Sequence, residues 1–309
     1  MKRIYYILPT IALALFATVL ASCSSDDEAK TTATSTPVQF YGTFNGDEPA
    51  VATTRAYDDK WEVNDAIGIT CSPYFNVKYT ANTSGKSTQL SYSSGKEIMY
   101  DPKINVYTFM AYYPYTENAF GDYEDLLIDM KAMRDAEHAK KYDFMYSFGI
   151  GRNGTPVSFK FDHIMTRVIF NFVDGENVKL MNHRWYLPNA IRLRGSFETY
   201  SGLCEADAKV RPGAEDTVGN ITYPNVPDTL YFFPQTPKKS TLVLFNEKDL
   251  GDEDIIVQKY TMDLALPKFE AGKSIELTIS VNDQRMQLKG ITIQDWNRKN
   301  QGNINASDM

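Results

Sequence analysis

The sequence predicts an all-β protein made of two tandem β-sandwich domains, which follow a secretion signal and a flexible tether. Apolar and polar residues alternate over many short segments, and turns rich in Gly, Pro and Asn separate these segments. The chain also contains 20 Tyr and 17 Phe, residue types that favour strands. With 309 residues, 43% of them hydrophobic, it is long enough to fill two cores.

The clearest alternation lies near the centre of the chain. Apolar residues occupy every second position over 157–161 and again, in the opposite phase, over 168–172. This pattern predicts a strand, a kink near 163–166 and a second strand. We interpret the stretch as the last core element of the first sandwich and the bridge into the second.

Residues 1–22 are predicted to be a lipoprotein signal peptide. A basic start at Lys2 and Arg3 precedes an apolar run over 4–19 that is too short for a comfortable membrane span. The following Leu20-Ala21-Ser22-Cys23 resembles the bacterial lipobox, which implies cleavage before Cys23 and acylation of that residue. Several acyl chains would anchor the protein stably. The alternative is an ordinary cleaved signal.

Residues 23–36 are predicted to be the acylated cysteine and a flexible tether rich in Thr, Ser and Ala. The acidic segment 24–28 resembles the export signal that places Bacteroidetes lipoproteins on the outer face of the outer membrane, although a solvated linker would have the same composition. Removal of residues 1–22 leaves 30 basic against 39 acidic side chains, a formal charge of −9. This acidic balance argues against nucleic acid as a partner.

The remaining cysteines, Cys71 and Cys204, would lie in different domains. We expect two buried apolar thiols rather than a disulfide between domains. The sequence has no CxxC pair and no Cys/His cluster with metal-ligand spacing, so we predict neither a metal nor a cofactor.

The N-terminal sandwich is predicted over residues 37–174. Its first strand has Val38, Phe40 and Phe44 in alternating positions, and further strands follow Trp61, a turn at Asn64-Asp65 and several Gly-containing turns. One short helix is predicted within 122–141, where Leu126, Leu127, Met130 and Met133 have i, i+3, i+4, i+7 spacing.

The C-terminal sandwich is predicted over residues 175–309 and ends in a polar tail. Six segments alternate or cluster apolar residues between Gly, Pro and Asn turns. These predicted strands are 190–197, 229–233, 241–245, 255–262, 274–281 and 290–295.

An ordered set of short motifs resembles the signatures of the Bacteroidetes fimbrillin family, including its Mfa-like members, over most of the chain after the tether. Each motif is weak alone, and their shared order is specific. They are Thr54-Arg55, Trp61, Asn64-Asp65-Ala66-Ile67-Gly68, the segments 109–115, 159–163, 231–235 and 269–274, and Ile293-Gln294-Asp295-Trp296. Asn64 departs from the family, which usually has Gly there, a change that a turn should tolerate.

The resemblance implies two transthyretin-like β-sandwiches and a role as a stalk, anchor or tip subunit of a type V pilus. It implies other pilus subunits as partners, the outer membrane as a partner through lipid on Cys23, and a host or bacterial surface receptor as a further candidate. A cell-surface location, in a fimbria if the chain is processed, and no enzymatic activity are expected.

The resemblance also points to Arg55 as a candidate cleavage site, because an arginine-specific protease removes a precursor strand in this family. Loss of the strand before Arg55 would open an edge that a strand from another subunit could pair with. The alternative is a loop arginine that is never cut. The candidate donor strand contains Ile291 and Ile293, within 290–296, and its alternative, which we favour, is an ordinary last strand.

Other residues offer weaker candidates. His163 has no identifiable catalytic partner, so we interpret it as a hydrogen-bonded core residue. The acidic segment 249–254 lacks a full set of calcium ligands and is predicted to be a hairpin tip. The aromatics of 112–115 could stack on a sugar or pack the end of the domain. A glycan-binding surface lipoprotein is therefore the main alternative function, and a secreted glycosidase is a third.

Overall fold

The structure is a computed structural model that describes residues 34–44, 60–117, 126–130, 141–180, 183–207, 218–222, 228–249, 255–296 and 303–304. The described residues from 35 onwards form one compact unit. Within the described ranges the regular secondary structure is all strand, and no helix there is long and apolar enough to cross a membrane.

The described chain contains 21 strands. In order they are β1 Thr36–Pro37, β2 Phe40–Phe44, β3 Ala66–Cys71, β4 Tyr74–Ala81, β5 Ser87–Ser94, β6 Met99–Tyr100, β7 Val106–Tyr113, β8 Leu126–Asp129, β9 Met145–Arg152, β10 Val157–His163, β11 Thr166–Asp174, β12 His183–Leu187, β13 Arg194–Phe197, β14 Cys204–Ala206, β15 Val218–Thr222, β16 Asp228–Phe232, β17 Ser240–Asp249, β18 Ile255–Leu264, β19 Lys273–Val281, β20 Met286–Asp295 and β21 Asn303–Ile304.

The N-terminal part closes into a barrel in the strand order β10-β2-β5-β4-β3-β7-β9, and β9 returns to β10 through Asp162 and Tyr146. Buried and exposed side chains alternate along the barrel strands, as the sequence pattern predicts. The alternation is complete in β10 and covers most of β9. Small residues on β9 make room for the interior, because a Cβ at Gly151 would lie 2.5 Å from the Tyr100 hydroxyl. The interior is largely aromatic.

The C-terminal part is a layered β-sandwich with three sheets. One sheet has the order β16-β11-β19-β20-β21, a second has the order β15-β12-β17-β18, and a third has the order β14-β13-β8. Their inward residues share one core that includes Phe170, Trp185, Leu244 and Leu277. The expectation of an all-β fold with two sandwich-type parts is confirmed, and the N-terminal part is the closed one.

The predicted helix within 122–141 is wrong where the structure describes it. Residues 126–129 form β8, which pairs antiparallel with β13, while 122–125 and 131–140 lie outside the described residues. Ile128 and Met130 are buried, and Leu126 packs partly buried against the same core. Leu127, which lies between Leu126 and Ile128, is 82% exposed, so the segment follows a period of two. Pairing with β13 therefore outweighs the helical spacing of the leucines.

The strand β8 also links the two parts of the fold. It lies in the connection between barrel strands β7 and β9, yet it pairs with β13 of the C-terminal part. Ile128, Met130, Tyr142 and Phe144 of this connection belong to the C-terminal core. The two parts are therefore interlocked rather than joined only end to end.

The change from barrel to sandwich occurs at the predicted kink. Strand β10 ends at His163 in the barrel, and β11 begins at Thr166 in the C-terminal sheet, parallel to β19. Sheet membership thus changes between 163 and 166, within the stretch interpreted as the bridge between the two parts. The reversal of the apolar phase marks this point, because it turns the buried face towards a different core.

Candidate assembly site

Strand β2 is the structural counterpart of the removable strand that the sequence suggested. It lies inside the barrel sheet, parallel to β10 on one side and antiparallel to β5 on the other. Phe40, Gly42 and Phe44 point into the barrel, whereas Tyr41 is 37% exposed. β2 therefore completes a closed barrel, and its loss would expose the edges of both β10 and β5.

Phe40 fills the deeper end of the β2 position. Its side chain is fully buried, and its ring centre lies 5.0 Å from that of Tyr79, 5.2 Å from that of Phe109 and 5.6 Å from that of Phe159. The first two contacts are edge-on, a favourable arrangement for aromatic pairs. This end of the strand is consequently a pocket for one large aromatic side chain.

Phe44 fills the other end against Trp61. The two ring centres lie 4.7 Å apart, and the Phe44 ring also lies 5.9 Å from that of His163. Between the two pockets the Trp61 indole Nε1 donates a hydrogen bond of 3.1 Å to the Gly42 carbonyl oxygen. Trp61 thus contacts two consecutive inward positions of β2.

The residues before β2 are also fixed to the barrel. Thr36 and Pro37 of β1 pair with Tyr100 and Met99 of β6. The Val38 amide donates to the Ile98 carbonyl at 3.0 Å, and the Val38 side chain is buried. The segment 36–44 is therefore held in the N-terminal part of the fold, through a separate two-stranded sheet of β1 and β6 and through β2 in the barrel.

The second candidate strand lies in the C-terminal sheet. Ile291 and Ile293 belong to β20, where Ile291 is 1% exposed and Ile293 packs partly buried against the core. β20 pairs with β19 along its length and with β21 only at Ile291 and Thr292. In this structure residues 290–295 thus belong to an ordinary sheet strand. Ile291 is part of the C-terminal core, whereas Val38, Phe40 and Phe44 belong to the core of the barrel.

A stack of side chains joins the ends of β10 and β20. The His163 and Trp296 rings lie 3.7 Å apart and nearly parallel, and Tyr231 stacks near the indole at 5.4 Å. The Arg167 guanidinium lies 4.7 Å from the indole centre and donates from Nε to the Ser274 hydroxyl. The C-terminal sheet is therefore fixed to the barrel strand that neighbours β2.

Two buried polar contacts lie close to this stack. His163 Nδ1 is 2.7 Å from the Asp143 Oδ1, with both side chains almost fully buried, so His163 is a hydrogen-bonded core residue as predicted. Burial raises the pKa of the Tyr113 hydroxyl, and the nearby carboxylates of Asp65 and Asp143 raise it further. These groups are suited to holding the junction together.

The other sequence candidates are placed as follows. Cys23, Arg55 and residues 250–254 lie outside the described residues. Tyr112 and Tyr113 are buried at 2% and 7% exposure, so these two side chains pack the domain and are not available to stack on a sugar. Among the described residues no group of three His, Cys, Asp or Glu side chains is arranged to hold a metal.

The two described cysteines are unpaired and buried. Burial raises the pKa of the Cys71 thiol to about 11 and that of the Cys204 thiol to about 12. The Cys204 sulfur lies 3.3 Å from the Met165 sulfur in the C-terminal core. Both thiols are in the unreactive protonated form at neutral pH.

Sequence reasoning missed the role of Trp61 and Gly42. Both residues lie in segments that it singled out, but their contact joins positions 19 residues apart and depends on the register of β2 in the barrel. The interpretation of Asn64 as a turn residue is confirmed, because its φ of 72° lies in the left-handed region that Asn tolerates.

The fold and the site together define an all-β protein in which the short strand β2 completes a closed barrel. Comparison with known sequences identifies the family of this protein. The chain belongs to the fimbrillin-like family, whose sequence model matches residues 54–296. The matched region begins next to Arg55 and leaves out β2.

One curated relative and two solved structures illustrate the similarity. The chain is 34% identical over 111 residues to a protein of Bacteroides uniformis named putative fimbrium subunit Fim1C, a match that spans 34% of this chain and only about a third, 35%, of that protein. A structure titled as a putative cell adhesion protein from Bacteroides ovatus covers 85% of this chain and 98% of its own, at 23% identity and a TM-score of 0.70.

A second structure with the same description, from Bacteroides uniformis, covers 85% of this chain and 98% of its own at 18% identity and a TM-score of 0.62. At these identities the two structures establish the fold alone.

Proposed function

We propose that this chain is a subunit of a type V pilus on the bacterial cell surface, with a structural or adhesive role, and that it assembles by strand exchange. The position of β2 is the observation that supports this most. A strand at the N-terminal side of Arg55 completes the barrel and is buried between β10 and β5. Cleavage after Arg55 would leave β2 held only by non-covalent contacts.

Strand exchange follows from the physical properties of the position that β2 occupies. Removal of β2 would expose two rows of backbone amides and carbonyls and two aromatic pockets, which a second strand can satisfy by β-augmentation. A contact between one subunit's strand and another's groove is head-to-tail, so it builds a filament rather than a closed ring. The proposed partners are other copies or paralogous subunits.

The proposal includes attachment to the outer membrane. Signal removal before Cys23 and acylation of that cysteine would tether the chain to the membrane until processing at Arg55 releases it into a fimbria. The proposed role involves no enzymatic step and no cofactor, and a host or bacterial surface receptor is a further proposed partner. The buried Tyr112 and Tyr113 give the glycan-binding alternative no support.

Mass spectrometry of the protein isolated from its own cell surface tests the proposal, together with unheated gels that reveal multimer ladders. We expect a mature N-terminus at Ala56 and ladders from the native chain. The matched variant Arg55→Lys keeps the positive charge and should retain acylated Cys23 on an uncut chain without ladders. A native chain that is intact, acylated and without multimers would contradict assembly by strand exchange.

A further inference from the structure

The position of β2 imposes a size requirement on its middle residue. An added Cβ at Gly42 would lie 3.1 Å from the Trp61 Cζ2 and 3.4 Å from the Phe161 Cε2. Ordinary contacts at this position would need about 3.5 to 4.0 Å. The two neighbouring inward positions, Phe40 and Phe44, are instead surrounded by rings that accept a large side chain.

Trp61 has little freedom to move away from a larger residue. It is fully buried, and its backbone exchanges two hydrogen bonds with Gly85, at 2.8 Å and 3.0 Å. Its indole packs edge-on against Phe161 and Tyr113, and Nε1 is bonded to the Gly42 carbonyl. A side chain at position 42 would therefore overpack the barrel or force the indole out of place.

We propose that Trp61 selects the strand that replaces β2, and that it favours strands with glycine at the position of Gly42. Such a strand carries large apolar residues two positions before and two positions after the glycine, and it runs parallel to β10. The partner is an extended segment of another fimbrial subunit with this apolar-x-Gly-x-apolar pattern. The inference rests on the proposed strand exchange and specifies its partner.

The pattern distinguishes between possible donor segments of this chain itself. In the phase of Ile291 and Ile293 a bulky isoleucine would face Trp61. The opposite phase places Gly290 there, with Leu288 before it and Thr292 after it. That register avoids the clash, but Thr292 leaves the Phe44 pocket without a large apolar side chain. The segment 286–296 is consequently a poor match to its own groove.

Peptide exchange into the cut protein tests the selection. The chain without residues 1–22, still uncut at Arg55, is cut after Arg55 with an arginine-specific protease, and a labelled peptide of residues 36–44 is added in excess. We expect the native peptide to enter the barrel and the Gly42→Val peptide to bind about tenfold to a hundredfold more weakly. The matched control is Thr43→Val, which places the same valine one position away, outside the barrel. It loses only the exposed hydrogen bond between the Thr43 and Ser87 hydroxyls and should bind within about threefold of the native peptide.

A change in the protein tests the role of Trp61 directly. In the Trp61→Leu protein the Gly42→Val peptide should bind at least as well as the native peptide, because the smaller side chain opens the middle position. A peptide of residues 286–296 should bind the native protein at least about tenfold more weakly than residues 36–44. Equal binding of these two peptides would overturn the requirement for large residues on both sides of the glycine.

Unfolding of the uncut chain provides a second test of the contact between Trp61 and Gly42 that does not depend on strand exchange. Failure of the native peptide to enter would reject strand exchange, while the uncut Gly42→Val chain should still unfold at a clearly lower denaturant concentration than the uncut Thr43→Val chain. Equal midpoints for these two chains would overturn the selection by Trp61. Equal binding of the native and Gly42→Val peptides would also overturn the selection by Trp61, but it would not contradict strand exchange.

Discussion

The barrel and the sandwich use their strands differently. The barrel is closed, and its closure depends on β2, a five-residue strand near the N-terminal end of the described chain. The sandwich has open sheets with strands such as β18 and β16 at their edges, and its core is shared among three sheets and the β8 connection. Loss of one strand would open the barrel, whereas no single described edge strand closes the sandwich.

The difference indicates where each part can change. A closed barrel has no edge for unwanted pairing, yet it acquires two edges at once when β2 leaves. The sandwich has open sheets instead, and its three sheets pack on one shared core. Under the proposed assembly, exchange would take place in the barrel and would leave the sheets of the sandwich intact.

The largest expected effect comes from removing the main anchor of β2. Phe40→Ala should lower the free energy of unfolding by about 3–5 kcal/mol, because it deletes a fully buried ring that contacts three others. Urea unfolding measures the change. The adjacent Tyr41→Ala, on the outer face, should cost less than about 1 kcal/mol, and equal losses for both variants would contradict the assigned orientation of β2.

A slightly smaller loss of stability is expected in the connection between barrel strands β7 and β9, which contributes residues to the core of the sandwich. Ile128→Ala should cost about 2–5 kcal/mol, since Ile128 is buried in the C-terminal core. Hydrogen exchange should locate the loss of protection in β13 rather than in the barrel strands. Leu127→Ala, next to it and 82% exposed, should change stability by no more than about 0.5 kcal/mol. Protection lost mainly in the barrel would argue against interlocking.

The junction should respond more moderately. Asp143→Ala removes the partner of the buried His163 Nδ1 and should cost about 1–3 kcal/mol, because a buried polar group loses its hydrogen bond. The barrel and the sandwich should then unfold less cooperatively, which separate fluorescence and circular dichroism transitions would reveal. Asp283→Ala, at an exposed site, is the control and should leave the two transitions coincident.

The smallest effect is expected from alkaline pH. Burial raises the pKa of Tyr113 in the barrel and that of Tyr260 in the sandwich, and nearby carboxylates add to the shift at Tyr113. Each hydroxyl holds its proton more tightly in the folded state, so its contribution to stability is complete below the unfolded pKa of about 10 and is lost as the pH rises through the folded value. Tyr113→Phe should therefore raise the midpoint of alkaline unfolding more than Tyr260→Phe. Equal midpoints would contradict this difference.

Local patterns predicted the strands well and the long-range partners poorly. Alternation at 157–161 and 168–172 predicted β10, β11 and the kink between them. Spacing alone could not distinguish the helix from the strand at 126–129, because Leu126 and Met130 lie on one side in either structure and only the partner β13 decides between them. The sequence analysis missed strand β12 because its alternation is short. Only three inward residues, His183, Trp185 and Leu187, alternate with Arg184 and Tyr186.

The candidate site was predicted in the same partial way. Val38, Phe40 and Phe44 were recognised as one buried face of a strand, which depends only on alternation. The two partners of that strand, β5 and β10, lie far from it in the sequence. β5 is more than 40 residues further along the chain, and β10 is further still. The contact between Trp61 and Gly42 depends on this register, so no local pattern could reveal it.

The parallel alignment of β2 with β10 has a mechanical consequence. Backbone hydrogen bonds in a sheet run across the strands, so a pull along the axis of a strand in this position loads its bonds to β10 and β5 in shear, all at the same time. Peeling would instead break them one after another, at a lower force. A strand seated here is held by the arrangement that best resists axial tension, while sideways opening at one end remains the easier route for its release.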